Sequence, residues 1–415
     1  SQSINKGSKY CLTDKKTYKL NHYKNKIYYF ENTFSFLTKL AIKKRKLYKG
    51  KVIGITGSAG KTTLKETLRF FLKKQYTVSA SYKSYNNILG VIISLLNLDL
   101  KSEYSIFELG TNNFGEIEKL VKFILPSQVF ITNIQNTHLE NFKNRRNIVN
   151  EKSNIFKSKY NPNIKSVIFL NNNKEESLLF DIAKKHNVNK ILTVGKLKNN
   201  YCFIVSILKK NNEYLINLSI NKKRLVIKTR SNVLHRIYNI LFCLTFFYYN
   251  KLDIKIILNN LNKLKPVSGR GLIINKLINN IKILFIDETY NANPDTMKQS
   301  IEYFYSMNSK GFIKILILGN MNELGKHSEK FHLEVLKFVE KYNFDSVILC
   351  GEFFELAISK IKKPFNKYII KKNENDLIEF IKFDLHQNAM LLAKCSNSSN
   401  VNKFGTKFIN MKEGN

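Results

Sequence analysis

A short apolar segment that runs into a glycine-rich turn and then into a helical pattern constrains the fold of this sequence most strongly. Residues 51–55 (KVIGI) predict a buried strand, residues 56–63 (TGSAGKTT) contain the turn, and apolar side chains recur with helical spacing over 61–73. Strand, tight turn and helix in this order begin a βαβ unit. The segment therefore predicts an α/β domain built on a largely parallel sheet.

The turn has the composition of a phosphate-binding loop. Gly57 and Gly60 allow the backbone to approach phosphates, and the start of the following helix offers free N–H groups and a positive dipole. Lys61 would neutralise β- and γ-phosphate charge, and the Thr62 hydroxyl would bind Mg²⁺. The strict G-x-x-x-x-G-K-[ST] pattern is not met, because Ile55 stands at the position of its first glycine. The shorter G-x-x-G-K-T-T form is present. The alternative interpretation is a coincidental glycine turn. The predicted nucleotide-binding residues of the loop are Gly57, Ser58, Ala59, Gly60, Lys61, Thr62 and Thr63.

Two polar side chains follow the next predicted strands. Glu108 lies at the end of the strand predicted over 104–109, and His138 follows the strand predicted over 128–134. Because the carboxyl ends of parallel strands face one crevice, both side chains could meet a magnesium ion held at Thr62. A solvated glutamate and a core or surface histidine are the alternative interpretations of these residues.

The pattern of strands and helices continues along the chain in two series. Alternation over 201–228 predicts hairpin strands, 234–249 predicts a helix, and the Pro and Gly residues of 264–271 predict a boundary before a second doubly wound domain. Further strands are predicted at 104–109, 128–134, 167–170, 191–194, 281–286, 313–318, 346–350 and 390–393.

Composition excludes some classes of protein and leaves others open. The chain has 69 Lys and Arg against 31 Asp and Glu, giving a net charge of +38, which invites a nucleic-acid-binding interpretation. The lysines are spread along the chain and accompany Asn, Ile, Phe and Tyr, all with A/T-rich codons, so we favour compositional drift. The longest apolar run, 240–249, is too short to cross a bilayer, and no secretion signal is evident at the start. Five scattered cysteines indicate reduced thiols, and we expect a cytoplasmic protein.

Taken together, an ordered set of segments resembles the Mur ligase family of peptidoglycan synthesis. The segments are TGSAGKTT (56–63), YNNILGV (85–91), ELG (108–110), GEI (115–117), TNI (132–134), HLE (138–140), EKSNIF (151–156), His235 with Asn239, SGR (268–270), DETYNANP (287–294) and LGNMNELG (318–325). They span nearly the whole chain. The resemblance is strongest to the type that adds D-alanyl-D-alanine, with YNANP (290–294) as the sharpest discriminator from other Mur ligases and folylpolyglutamate synthases.

The resemblance implies an ATP-dependent ligase that joins D-alanyl-D-alanine to UDP-N-acetylmuramoyl-tripeptide through an acyl phosphate, with ATP and Mg²⁺ as cofactors. It implies a P-loop central domain and a C-terminal Rossmann-like α/β domain, and Lys152 matches a lysine that becomes carbamylated. We expect a monomer, no membrane insertion and no nucleic-acid partner. The implied catalytic residues are Lys61, Lys152 and His138; the implied metal ligands are Thr62, Glu108, His138 and Lys152; the implied further nucleotide contacts are His235, Asn239, Arg270, Asp287, Asn291 and Asn293; and the implied substrate contacts are Tyr85, Asn86 and Asn87.

The sequence departs from the family pattern in several places. The family usually has Lys-Gly-Ser near the C-terminus, where this chain has KCS (394–396), so Cys395 stands at the glycine position. Asn320 replaces a frequent Asp, and Glu288 replaces a second Asp. About fifty residues precede the phosphate loop, so we expect much of the uridine-nucleotide-binding domain to be absent from this chain. The predicted domains are 1–47 (a remnant of a small N-terminal α/β domain that binds the UDP substrate), 48–264 (ATP-binding) and 265–415 (ligase). Another Mur-type or folylpolyglutamate-type ligase and a P-loop nucleic-acid-binding ATPase are the alternatives.

Overall fold

The computed structural model of the protein describes residues 2–14, 25–210, 213–229 and 234–411. The strands are β1 (Cys11–Thr13), β2 (Ile27–Tyr29), β3 (Lys51–Thr56), β4 (Val78–Ala80), β5 (Tyr104–Glu108), β6 (Gln128–Ile131), β7 (Ser166–Leu170), β8 (Lys190–Gly195), β9 (Cys202–Lys210), β10 (Glu213–Ile220), β11 (Lys223–Thr229), β12 (Leu272–Ile278), β13 (Ile281–Glu288), β14 (Ile313–Gly319), β15 (Ser346–Cys350), β16 (Tyr368–Ile370) and β17 (Ala389–Lys394). The α-helices are α1 (Gln2–Asn5), α2 (Thr33–Leu47), α3 (Lys61–Leu72), α4 (Ile88–Leu96), α5 (Glu116–Ile124), α6 (Leu139–Phe142), α7 (Arg145–Ser153), α8 (Lys174–Lys185), α9 (Leu234–Tyr249), α10 (Lys255–Leu258), α11 (Pro294–Ser306), α12 (Ser328–Val339), α13 (Glu352–Ile358), α14 (Glu374–Glu379) and α15 (Asn400–Asn410).

The central sheet has nine strands in the order β11-β10-β9-β8-β7-β6-β3-β5-β4. Neighbouring strands from β4 to β9 are parallel, whereas β9, β10 and β11 form an antiparallel extension at one edge. Helices cover both faces of the parallel part, so β5, β6 and β7 are buried at every position. Because β3 lies between β5 and β6, the loops that follow these three strands open at the same edge of the sheet.

The C-terminal sheet has six strands in the order β12-β13-β17-β14-β15-β16. The β12–β13 pair is antiparallel, and every other pair is parallel. Separate apolar clusters pack on its two faces, one beneath α11 and α12 and the other beneath α14 and α15. This half therefore has its own core, as a second α/β unit requires.

The α/β fold class with mostly parallel sheets is confirmed, and the predicted hairpins and the helix over 234–249 are present. The parallel pair β1–β2 lies before the central sheet. The domain boundaries after residues 47 and 264 stay predictions. No helix in the described ranges is both long and apolar enough to cross a membrane.

Candidate functional site

The phosphate loop links β3 to α3, and the loop after β6 holds its backbone in place. Gly57 has a φ of 144°, and a Cβ atom there would lie 1.9 Å from Thr132 Oγ1, so a side chain is excluded on both counts. The Ala59 N–H donates to Asn133 Oδ1 at 2.9 Å, and the Gln135 N–H donates to Ser58 Oγ at 3.0 Å. The loop is thus shaped by its neighbours before any phosphate contact is made.

Lys61 begins α3 and turns back over the loop. Its ammonium group donates to the carbonyl oxygen of Gly57 at 2.7 Å. Burial lowers the pKa of Lys61, and the nearby carboxylate of Glu108 opposes this shift. A half-buried lysine beside a helix N-terminus is the group expected to meet β- and γ-phosphate oxygens.

Glu108, at the end of β5, is buried, and both of its carboxylate oxygens accept hydrogen bonds. The Thr62 hydroxyl donates to Oε2 at 2.6 Å, and the Asn86 amide donates to Oε1 at 2.8 Å. Both donors are neutral, so they fix the orientation of the carboxylate without neutralising its charge. Lys61 and Arg270 interact with it electrostatically, but among the described residues neither hydrogen-bonds to it.

These oxygen donors fit a magnesium ion. Thr62 and Glu108 offer a hydroxyl and a carboxylate, and Mg²⁺ is held by one or two carboxylates together with substrate phosphates. The described residues contain no group of three or more His, Cys, Asp and Glu side chains that could cage a transition metal. The arrangement therefore suits an ion shared with a nucleotide.

Lys152 lies near the end of α7 and is buried, with 2% of its surface exposed. Burial, together with the charge of Lys61, lowers the pKa of Lys152 well below the usual lysine value. Within the described residues its ammonium group has no hydrogen-bond or ion-pair partner. The neighbouring Glu151 does not pair with the Lys152 ammonium group. Its carboxylate instead accepts hydrogen bonds from the N–H groups of Gly115 at 2.8 Å and Ile117 at 2.9 Å. Burial therefore favours the neutral amine form of Lys152, which is the form that reacts with CO₂.

His138 precedes α6 and faces the C-terminal half. Its Nδ1 atom lies 2.7 Å from Oε2 of Glu323, which is in the loop after β14. The two atoms are at hydrogen-bond distance, and the contact is an ion pair only when His138 is protonated. Interaction with His138 lowers the pKa of Glu323.

The C-terminal half supplies the facing wall. Arg270 is stacked on the ring of Tyr290, 4.1 Å from its centroid, and donates to Ser84 Oγ at 3.3 Å. Ser84 in turn hydrogen-bonds to Thr62 at 3.1 Å. Asp287 is buried and accepts from the Gly269 N–H at 2.6 Å, so its carboxylate holds the turn that carries Arg270.

A cleft of about 260 Å³ lies between the two halves. The predicted residues that line it are Ser58, Ala59, Gly60, Lys61, Thr63, Asn86, Glu108, His138, Asn239, Arg270 and Asn291. The predicted residues outside the lining are Gly57, Thr62, Tyr85, Asn87, Lys152, Asp287 and Asn293, and the side chain of His235 is outside the described residues. All of these site roles stay predictions.

Of the predicted substrate residues outside the cleft lining, Asn87 has a local structural role and Tyr85 is exposed. Asn87 Oδ1 accepts from the Gly90 N–H at 2.8 Å and so caps α4, while Tyr85 is 38% exposed. The sequence interpretation gave no individual roles to Asn133, Gln135 or Lys394, which also line the cleft. Asn133 and Gln135 lie in the loop that follows the buried strand β6, and a position after the carboxyl end of a parallel strand is the sequence signal that could have identified them.

Comparisons with known proteins identify the family to which both halves of the chain are similar. The family model of the Mur ligase middle domain matches residues 55–247, and the model described as Mur ligase, glutamate ligase domain, matches 272–397. A Rickettsia prowazekii protein named UDP-N-acetylmuramoyl-tripeptide–D-alanyl-D-alanine ligase is 32% identical over 405 residues, which cover 97% of this chain and 87% of that protein. The Bacillus subtilis protein of the same name is 26% identical, over 83% of this chain and 73% of that protein.

Solved structures show the same fold. A crystal structure of MurF from Acinetobacter baumannii has a TM-score of 0.79 at 25% identity, covering 93% of this chain and 82% of that one. MurF ligase from Thermotoga maritima, solved in complex with ADP, has a TM-score of 0.79 at 23% identity, covering 98% and 90%. With 32% identity to a relative along nearly its whole length, the chain belongs to the Mur ligase family.

Proposed function

We propose that this protein is the ATP-dependent ligase that joins D-alanyl-D-alanine to UDP-N-acetylmuramoyl-tripeptide. The observation that carries the proposal is the cleft in which the phosphate loop and Glu108 of one sheet face Arg270 of the other. The names of the curated relatives support this substrate pair over another amino-acid ligase and over a nucleic-acid-binding ATPase. The product would be the pentapeptide precursor of peptidoglycan, on which cell shape and division depend.

In the first step, a terminal carboxylate oxygen of the tripeptide attacks the γ-phosphorus of ATP. The bond from that phosphorus to the ADP oxygen breaks, leaving an acyl phosphate and ADP. Lys61 and Arg270, which line the cleft, would neutralise the transferred charge, and the loop backbone would orient the phosphates. Bound Mg²⁺, held by Thr62, Glu108, His138 and carbamylated Lys152, would supply further charge neutralisation.

In the second step, the uncharged amine of D-alanyl-D-alanine attacks the acyl carbon. The C–N bond forms, inorganic phosphate leaves, and the amine gives up a proton. Bound substrates would displace water from the cleft, and water otherwise competes for the acyl phosphate. The monomeric state and cytoplasmic location expected from the sequence stay predictions.

The test is a product assay by mass spectrometry combined with phosphate release. We expect phosphate release to require both the muramyl tripeptide and D-alanyl-D-alanine, with one phosphate per pentapeptide. Equal ATP hydrolysis without the dipeptide, and no pentapeptide, would contradict the proposal.

A further inference from the structure

Three side chains join the two halves of the molecule beside the cleft, and neither chemical step uses them. The Arg145 guanidinium donates through Nη2 to Asp295 Oδ2 at 3.1 Å and through Nε to Asn136 Oδ1 at 3.0 Å. The Asn136 N–H also points to Asp295 Oδ2, at 3.4 Å. One carboxylate of the C-terminal half thus meets two donors of the central half.

Each partner belongs to an element that carries a proposed site residue. Arg145 begins α7, and Lys152 lies two helical turns further along, about 10 Å away. Asn136 follows Gln135, whose backbone N–H donates to the phosphate loop. Asp295 lies in the first turn of α11, directly after the segment 291–294. The contact therefore connects three parts of the proposed ATP site.

The charges at the start of α7 explain why the contact is favourable. The first turn of α7 contains Arg145 and Arg146 and no acidic residue, so the positive end of the helix dipole has no negative partner of its own. Asp295 supplies that negative charge from the other half of the molecule. Because the Arg145 and Asp295 side chains are about one third exposed, the attraction is modest and can form and break.

We propose that Asp295 is a positioning residue that captures Arg145 and Asn136 when the two halves close, and thereby fixes α7 and the loop beneath the phosphates. The kinetic part of this inference rests on the proposed function. The closure part does not, because closure on a nucleotide can be measured without the amine substrate.

The experiment compares Asp295→Asn, Arg145→Met and the double variant with wild type. We expect kcat/KM for ATP to fall about three- to tenfold in each single variant. The double variant should be no less active than the less active single variant, because the same contact is lost in all three. Asp295→Glu keeps the charge and is expected to recover at least half of the loss.

The matched control is Lys298→Met, which removes the exposed Lys298–Glu334 pair on the same helix α11 but within the C-terminal half. We expect it to keep kcat/KM within twofold of wild type. Small-angle X-ray scattering with a non-hydrolysable ATP analogue should show compaction of wild type and Lys298→Met, and less compaction of Asp295→Asn and Arg145→Met.

Three results would overturn the inference: additive losses in the double variant, an equal loss in Lys298→Met, or wild-type compaction in Asp295→Asn. If no pentapeptide forms with any variant, the proposed function fails, whereas the scattering comparison still decides the role of Asp295.

Discussion

The carboxyl edges of the two sheets face the same cleft, but their charged side chains differ in whether they have partners of opposite charge. At the central edge, Glu108 is held by neutral donors, and Lys152 is buried without a partner among the described residues. At the C-terminal edge, the buried Glu288 carboxylate is 2.9 Å from the Lys394 ammonium. Glu108 at the central edge thus keeps its charge available to a counter-ion, whereas the charge of Glu288 at the C-terminal edge is already paired with Lys394.

The largest difference between the two edges is expected when each glutamate is replaced by glutamine. Glu108→Gln keeps the shape but removes the charge expected to bind Mg²⁺, and we expect kcat to fall at least about a hundredfold, with a higher Mg²⁺ concentration needed for half-maximal rate. Glu288→Gln is the matched control and should cost less than tenfold, because the charge it loses is already paired. Steady-state Mg²⁺ titrations measure both. Similar losses in the two variants would remove the distinction between the edges.

The second effect concerns the two lysines. Because burial depresses the pKa of Lys152, the folded protein binds a proton there less readily than the unfolded chain, so the contribution of this group to stability rises with pH towards the ordinary lysine pKa. In CO₂-depleted buffer, Lys152→Met should raise the free energy of unfolding by about 1–2 kcal/mol at pH 7 while abolishing ligation, with the gain shrinking towards pH 10. Lys394→Met leaves Glu288 without its ammonium and should cost about 3 kcal/mol.

Urea denaturation at pH 7 and pH 9 measures both lysine variants. A loss of stability in Lys152→Met, or a pH-independent gain, would mean that Lys152 is not held neutral.

The smallest effect concerns two asparagine caps, one at each edge. Asn87 caps α4, and Asn293 caps α11, so alanine at either position should cost about 1 kcal/mol in thermal or urea unfolding. Only Asn293 also reaches across the cleft, where its amide donates to Gln135 Oε1 at 3.2 Å. We therefore expect a severalfold loss of kcat/KM in Asn293→Ala alone. An equal loss in Asn87→Ala would instead support the predicted substrate contact of Asn87.

The sequence allowed the fold class and the phosphate loop to be predicted because both depend on local rules. Buried parallel strands are continuous apolar runs, and a glycine turn between strand and helix is a short-range pattern. The placement of Glu108 and His138 on one cleft followed from the parallel-strand rule. Strands β4 and β16 were missed because each has only three residues.

The rest depends on contacts between distant parts of the chain. Lys152 is one of 69 basic residues, and only packing shows that it is buried without a partner. The Asn86 contact to Glu108 spans 22 residues, and the Arg145 contact to Asp295 spans 150. Sequence periodicity carries no information about such pairs, so the residue types were identifiable but their partners were not.

Gly57 has a consequence for how this gene can change. Glycine codons begin with two guanines, so changing either one to A or T gives a codon for serine, arginine, aspartate, glutamate, valine, cysteine or tryptophan, or a stop codon. The chain retains only 17 glycines. At Gly57 even the methyl group of alanine would overlap the Thr132 hydroxyl, and the backbone is in a conformation that other residues rarely adopt. Nucleotide bias can therefore reshape the lysine- and asparagine-rich surface while this position remains closed to every substitution.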